Sequence, residues 1–131
     1  MNNINILAVL VAAASSFIVG GLWYSNVLFG AVWRREAGDL RKPGEGHPAK
    51  IFGLSFVFAF VSAVAYALLV PAPSSALLAV CQGLLVGAAI VGGSFGVNYQ
   101  FANRSTKLWI IDAGYTAVQF ALYGLIIGLW R

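Results

Sequence analysis

The sequence predicts an all-α membrane protein of four transmembrane helices, set out as two tandem helical hairpins related by a pseudo-twofold axis along the membrane normal. Three observations lead there. Of 131 residues, 60% are hydrophobic and only 9% are charged, which leaves too little polar surface to clothe a soluble globule. Four runs, at about 4–29, 51–70, 76–97 and 108–130, reach the roughly 20 apolar residues needed to cross about 30 Å of hydrocarbon. The first two runs also share a residue pattern with the last two. What lies between the runs is mostly connection, so residues 1–131 read as one transmembrane domain.

The first run passes through Ala12-Ala13-Ala14-Ser15-Ser16, small residues of the kind found at a signal cleavage site. Its start, Met1-Asn2-Asn3-Ile4-Asn5, carries no positive charge, and apolar residues continue beyond Ser16, so a retained span is expected. A basic loop, 34–50, follows with Arg34, Arg35, Arg41, Lys42 and Lys50. The lone histidine, His47, sits there among turn formers, Pro43-Gly44-Glu45-Gly46-His47-Pro48, where nothing fixes a metal or a nucleophile. Cys81, in the third run, is the only cysteine, so no intrachain disulfide can form and a packing role is expected. The last connection holds Arg104 and Lys107.

Seven of the eight basic side chains therefore lie on one side of the four spans, and only Arg131 lies on the other. By the positive-inside rule both basic loops face the cytoplasm and both termini are non-cytoplasmic. The net charge of +4 is then a topology signal, and no nucleic-acid partner is expected.

Ile18-Val19-Gly20-Gly21 recurs as Ile90-Val91-Gly92-Gly93, and at the same offset of 72 Trp23 meets Phe95, Asn26 meets Asn98 and Phe29 meets Phe101. The second and fourth runs align at an offset of 54, Ala63-Val64-Ala65-Tyr66-Ala67-Leu68 against Ala117-Val118-Gln119-Phe120-Ala121-Leu122. An insertion of 18 residues in the first loop reconciles the two offsets with one duplication. Two hairpins of the same topology give the parallel class of repeat.

Lipid tails are as apolar as Leu, so helices in a bilayer join by close approach at small residues. The expected packing residues are Gly20, Gly21, Gly83, Gly87, Gly92, Gly93, Gly96, Gly114, Gly124 and Gly128. At about 100° per residue, Gly83 and Gly87 fall on the opposite side of the third helix from Gly92 and Gly96. In the fourth helix Gly114, Ala117, Ala121, Gly124 and Gly128 form a small stripe, and Asp112, Tyr115, Thr116, Gln119 and Tyr123 a polar one. That is more close-packing surface than one bundle uses, so a homodimer is expected.

Polar groups near the basic end form the candidate ligand cluster: Trp23, Tyr24, Ser25, Asn26, Asn98, Asn103, Arg104, Asp112, Tyr115 and Gln119. Asp112 is the only acidic residue inside a predicted span. It reads either as the partner of Arg104, Lys107 or the positive end of its helix dipole, or as an ion, proton or ligand contact. Asn26 and Asn98 read either as a hydrogen-bonded pair or as helix ends. Trp33, Trp109 and Trp130 fit interfacial anchors.

No catalytic or metal-binding constellation stands out and no cofactor is implied, so an enzyme is not expected. Two function classes remain. One is a non-enzymatic, self-associating binding or assembly module, whose partners are the lipid bilayer, a second copy, and a small ligand or lipid. The other is a small oligomeric transporter or channel for a small solute.

The run Gly21-Leu22-Trp23-Tyr24-Ser25-Asn26-Val27-Leu28-Phe29-Gly30-Ala31-Val32-Trp33, with the later Asn103-Arg104-Ser105-Thr106-Lys107-Leu108-Trp109-Ile110-Ile111-Asp112-Ala113-Gly114-Tyr115, resembles small bacterial membrane proteins of the domain of unknown function 1761 family. Members usually have Pro where this chain has Asn26. The resemblance covers nearly the whole chain and implies a four-helix bacterial inner-membrane protein, with no activity to carry over. Reporter fusions at Arg131 and near Glu45 test the topology: non-cytoplasmic activity is expected at the first and cytoplasmic activity at the second, and the reverse pattern overturns the assignment.

Overall fold

A computed structural model of the chain describes residues 3–38 and 47–131. Arg41, Lys42 and Glu45 of the basic loop lie outside the described residues. Helix α1 spans Ile6–Trp23, opened by Asn5, whose side chain accepts from the Ala8 amide. It stops at Trp23 rather than running to about residue 29. The Phe29 amide donates to Trp23 O at 3.0 Å and the Gly30 amide to Ser25 O at 2.9 Å, closing a turn. A Cβ at residue 30 would stand 2.2 Å from Tyr24 O, so a side chain there would force the turn open.

The short helix α2, Gly30–Ala37, ends at Gly38 in the left-handed conformation, φ 64°. Helix α3 spans Pro48–Leu69, with Pro in its first turn where a missing N–H costs nothing. Helix α4 spans Ala76–Phe101 and α5 Thr106–Leu129, each opened by a serine hydroxyl that accepts a backbone amide: Ser75 from Leu78, Ser105 from Leu108. Between them, Asn103 (φ 54°) takes the left-handed position, and the Arg104 amide reaches back to Tyr99 O at 2.8 Å. This double reach back over the last turn is the usual way a helix ends at Gly or Asn.

The chain is all-helical among the described residues, and α1, α3, α4 and α5 are long and apolar enough to cross a membrane. It is a multi-pass membrane protein. The termini share one end of the bundle: Asn5 Nδ2 donates to Trp130 O at 2.8 Å, and Arg131 Nη2 to Val70 O at 2.9 Å.

Helix α5 is the centre. It packs against α1, α3 and α4, most extensively against α4. Half of its apolar stretch is buried, against 22–28% in the other spans. The α4–α5 approach is backbone on backbone. A Cβ at Gly83 would lie 2.1 Å from Phe120 O, one at Gly87 2.3 Å from Thr116 O, and one at Gly124 2.1 Å from Ala79 O.

Gly92 also meets α5, at the Ala113 side chain, and Gly96 meets it at Trp109. These four α4 glycines thus face one neighbour, whereas uniform α-helical rotation puts the two pairs on opposite sides. The difference comes from residues Leu85–Val91, which are wound as π-helix. Bonds of the i→i+5 kind take in extra residues per turn, so the later pair lags round onto the face of the first.

The two hairpins are packed unequally. A twofold along the normal would make α3 meet α4 as closely as α1 meets α5, but among the described residues α3 and α4 share no such extended contact. Asn26 lies in a turn where Asn98 lies in a helix. The packed core of Val9, Ala12, Ala63, Tyr66, Ala67, Phe120, Tyr123 and Ile127 includes no α3 residue before Ala63, and α3 has no buried residue before Ala59. Its first half therefore stands off from the core and opens the basic end of the bundle.

Gly124→Leu is expected to cost about 3 kcal/mol of stability by overpacking a backbone contact. Gly93→Leu, where nothing lies within 4 Å of the added Cβ, should leave unfolding unchanged. Thermal unfolding of the two purified variants checks the contrast.

Candidate functional site

Asp112, on the second turn of α5, is 9% exposed. Its carboxylate accepts three hydrogen bonds: Tyr24 OH to Oδ1 at 2.6 Å, Trp33 Nε1 to Oδ1 at 3.0 Å and Tyr99 OH to Oδ2 at 2.5 Å. The donors come from the turn after α1, from α2 and from the end of α4, so one side chain ties three segments to the central helix. All three donors are neutral aromatics. Arg104, one of the cations expected to pair with Asp112, instead donates to Ala37 O at 2.7 Å and holds the end of α2.

The other polar groups of α5 are answered by neighbouring helices. Tyr115 OH donates to Ser16 O at 2.9 Å, Thr116 Oγ1 to Gly87 O at 3.0 Å, and Tyr123 OH to Ala59 O at 3.2 Å, while Gln119 Nε2 donates to Tyr123 OH at 2.9 Å. Buried polar groups in a membrane demand such partners. Trp23 packs over Gly114 and donates to Ile111 O at 2.9 Å.

The remaining candidates do not converge. Asn26 is exposed and accepts from Arg34. Asn98 is exposed on the last turn of α4, Asn103 is an exposed helix end, and half-buried Ser25, in the turn after α1, donates to Leu22 O. Asn26 and Asn98 therefore do not form a pair. His47 caps α3. Of the expected packing glycines, Gly20 faces Tyr115 and Gly128 faces Pro73, whereas Gly21 and Gly93 have nothing within 4 Å.

Where α3 diverges, a groove of about 630 Å³ opens between it and α1, with α5 as its floor. Its walls are largely aromatic: Phe17 from α1, Phe52 and Phe58 from α3, Phe95 from α4, with Tyr24 and Tyr115. Ser16, Ser55, Ser62 and Gln119 add hydrogen-bonding groups. A second cleft, about 510 Å³, separates α3 from α4 beside the π-wound segment. Tyr66 lines it, and its buried hydroxyl has no hydrogen-bond partner among the described residues.

The sequence singled out Asp112, Tyr24, Tyr115 and Gln119, which the structure places at or beside the groove, and missed Trp33 and Tyr99. A tryptophan near a span end reads as a lipid anchor, so the indole of Trp33 gave no sign of its buried acceptor. Trp33→Phe removes a donor to a carboxylate, worth about 2 kcal/mol, and loosens α2. Faster tryptic cleavage at Arg34 and Arg35 is expected in proteoliposomes, with Trp130→Phe unchanged.

No curated protein and no solved structure matches the chain. The family model described as "Protein of unknown function (DUF1761)" matches residues 7–128, all four spans and every member of the Asp112 cluster among them. The chain belongs to the DUF1761 family.

Proposed function

We propose that the protein is a non-enzymatic membrane binding module that admits a lipid-soluble small molecule, sideways from the bilayer, into the groove between α1 and α3. The groove itself carries the reading. At about 630 Å³ it falls within the range of ordinary ligand sites, and its apolar walls with a few convergent polar groups are their usual lining. In this reading the basic end faces the cytoplasm from the inner membrane, both termini face away, and the groove opens in the cytoplasmic half.

Transport is the weaker reading. One turn beyond Gln119 and Ser62 the bundle is filled by Ala12, Tyr66, Phe120 and Tyr123, which favours a dead-end site over a path. Self-association remains a separate reading: Gly83, Gly87, Gly92, Gly96, Gly124 and Gly128 make contacts inside one chain, while Gly21 and Gly93 face nothing within 4 Å.

The test is photolabelling in proteoliposomes with the neutral probe 3-trifluoromethyl-3-phenyldiazirine, followed by peptide mapping. Insertion at Phe52, Ser55 and Tyr115 should exceed that at the outward-facing Ile18 and Leu77, and Ser55→Trp should abolish the excess. Labelling that simply follows lipid exposure, or that survives Ser55→Trp, overturns the reading.

A further inference from the structure

The walls of the groove say what kind of molecule it takes, an inference that rests on the binding reading above. No lining residue is charged. Two of the lining rings are nevertheless wired to one carboxylate. Tyr24, whose ring also meets Tyr115 edge-on at 5.4 Å, donates its hydroxyl to Asp112 at 2.6 Å. Phe95 stacks at 5.8 Å and 15° on Tyr99, which donates to the other Asp112 oxygen at 2.5 Å. Asp112 thus stands directly behind the aromatic wall.

Ionised Asp is an acceptor only, and here both oxygens are met by donors. Those donors are neutral, so they stabilise the carboxylate without cancelling its charge. Arg34 and Arg104, the cations of this end that have described partners, bond to Asn26 and to Ala37 O, and Arg104, next to Tyr99, offsets part of the carboxylate's charge on that side. In a low-dielectric site that negative charge reaches well beyond hydrogen-bond distance. It acts in the same direction as the ring faces, which attract a cation within about 6 Å of their centroids. A phenol that donates to a carboxylate also carries more electron density in its ring, which strengthens the Tyr24 face further.

An anionic amphiphile would meet repulsion from Asp112 in the same place. A metal ion is disfavoured as well, since no cluster of three metal-ligating side chains exists among the described residues and the walls are apolar. Lys50 stands one residue before Ile51 at the rim, so the charge must be carried in by a body apolar enough to settle deep. We propose that the groove binds a lipophilic organic cation, a quaternary ammonium, phosphonium or charged aromatic compound, held by the Tyr24 and Phe95 faces with Asp112 as the counter-charge behind them.

Tetraphenylphosphonium and tetraphenylborate have nearly the same size and apolar surface but opposite charge, so they isolate the sign. Equilibrium dialysis of each against the full-length protein in an uncharged maltoside detergent is the measurement. Saturable phosphonium binding, at least about tenfold tighter than borate binding, is expected. Asp112→Asn, whose Oδ1 still accepts from Tyr24 and Trp33 while its Nδ2 donates to a rotated Tyr99 hydroxyl, should weaken phosphonium binding about tenfold while leaving neutral diazirine labelling of the groove unchanged. Tyr24→Leu, which removes a ring face and keeps the carboxylate, should weaken it as well. Borate binding as tightly as phosphonium, with Ser55→Trp abolishing both, overturns the cation preference and leaves the groove reading standing. If neither ion displaces the diazirine probe, this inference falls, and the probe's own labelling pattern decides the groove reading separately.

Discussion

The backbone contact between α4 and α5 is the constraint on which the rest of the structure depends. In lipid nothing drives helices together by hydrophobicity alone, so the helices that can approach most closely decide the arrangement. Gly83, Gly87 and Gly124 remove side chains at three points where a Cβ would stand within 2.3 Å of a carbonyl oxygen. With α4 seated there, the opposite side of α5 is left for α1 and α3. Its polar residues then point to carbonyls on three neighbours, Ser16 on α1, Ala59 on α3 and Gly87 on α4. Close packing and polar satisfaction are therefore one condition met by one helix.

Asp112 follows from that placement. A central helix carries its carboxylate to a point that the end of α1, the short α2 and the end of α4 can all reach. The turn at residues 24–29 is what lets them do so. By stopping α1 at Trp23, it frees the Tyr24 side chain and sends α2 back across the basic end, where Trp33 and the Arg104–Ala37 bond hold it. Gly30 closes this turn because its amide must come close to the Tyr24 and Ser25 carbonyls.

The spans were legible because hydropathy and length alone decide whether a segment can live in a bilayer, and those survive any packing arrangement. Most of the close-packing glycines were also legible, since small residues in an apolar helix have few other uses, though Gly21 and Gly93 meet nothing within 4 Å. Their partners were not. One π-wound stretch, Leu85–Val91, rotates Gly92 and Gly96 onto the face of Gly83 and Gly87, and nothing in the residue types of that stretch announces it. Much of the small surface from which a second copy was expected is used inside the chain, though Gly21 and Gly93 face nothing within 4 Å. Asp112 was recognisable as important, but its partners were sought among cations, and they proved to be Tyr24, Trp33 and Tyr99. Two tryptophans that composition assigned to the interface, Trp33 and Trp109, spend their indole N–H groups inside the bundle.

The same asymmetry divides the bundle by role. Toward the termini, α3 closes on α1 and α5 through Ala63, Tyr66 and Ala67, and the interior is filled. Toward the basic end α3 begins at Pro48 without a buried residue until Ala59, so the element that forms one wall of the groove contributes least to the core there. In that half α3 meets α1 mainly through Phe17, which packs on Phe52 and Phe56 at 6.4 and 6.0 Å, away from the α4–α5 contact. The aromatic surface in front of Asp112, by contrast, is fixed by three hydrogen bonds to that carboxylate. A hydrogen-bonded aromatic surface facing a wall of separate phenyl side chains suits ligands that share a charge and a lipophilic character more than a single shape.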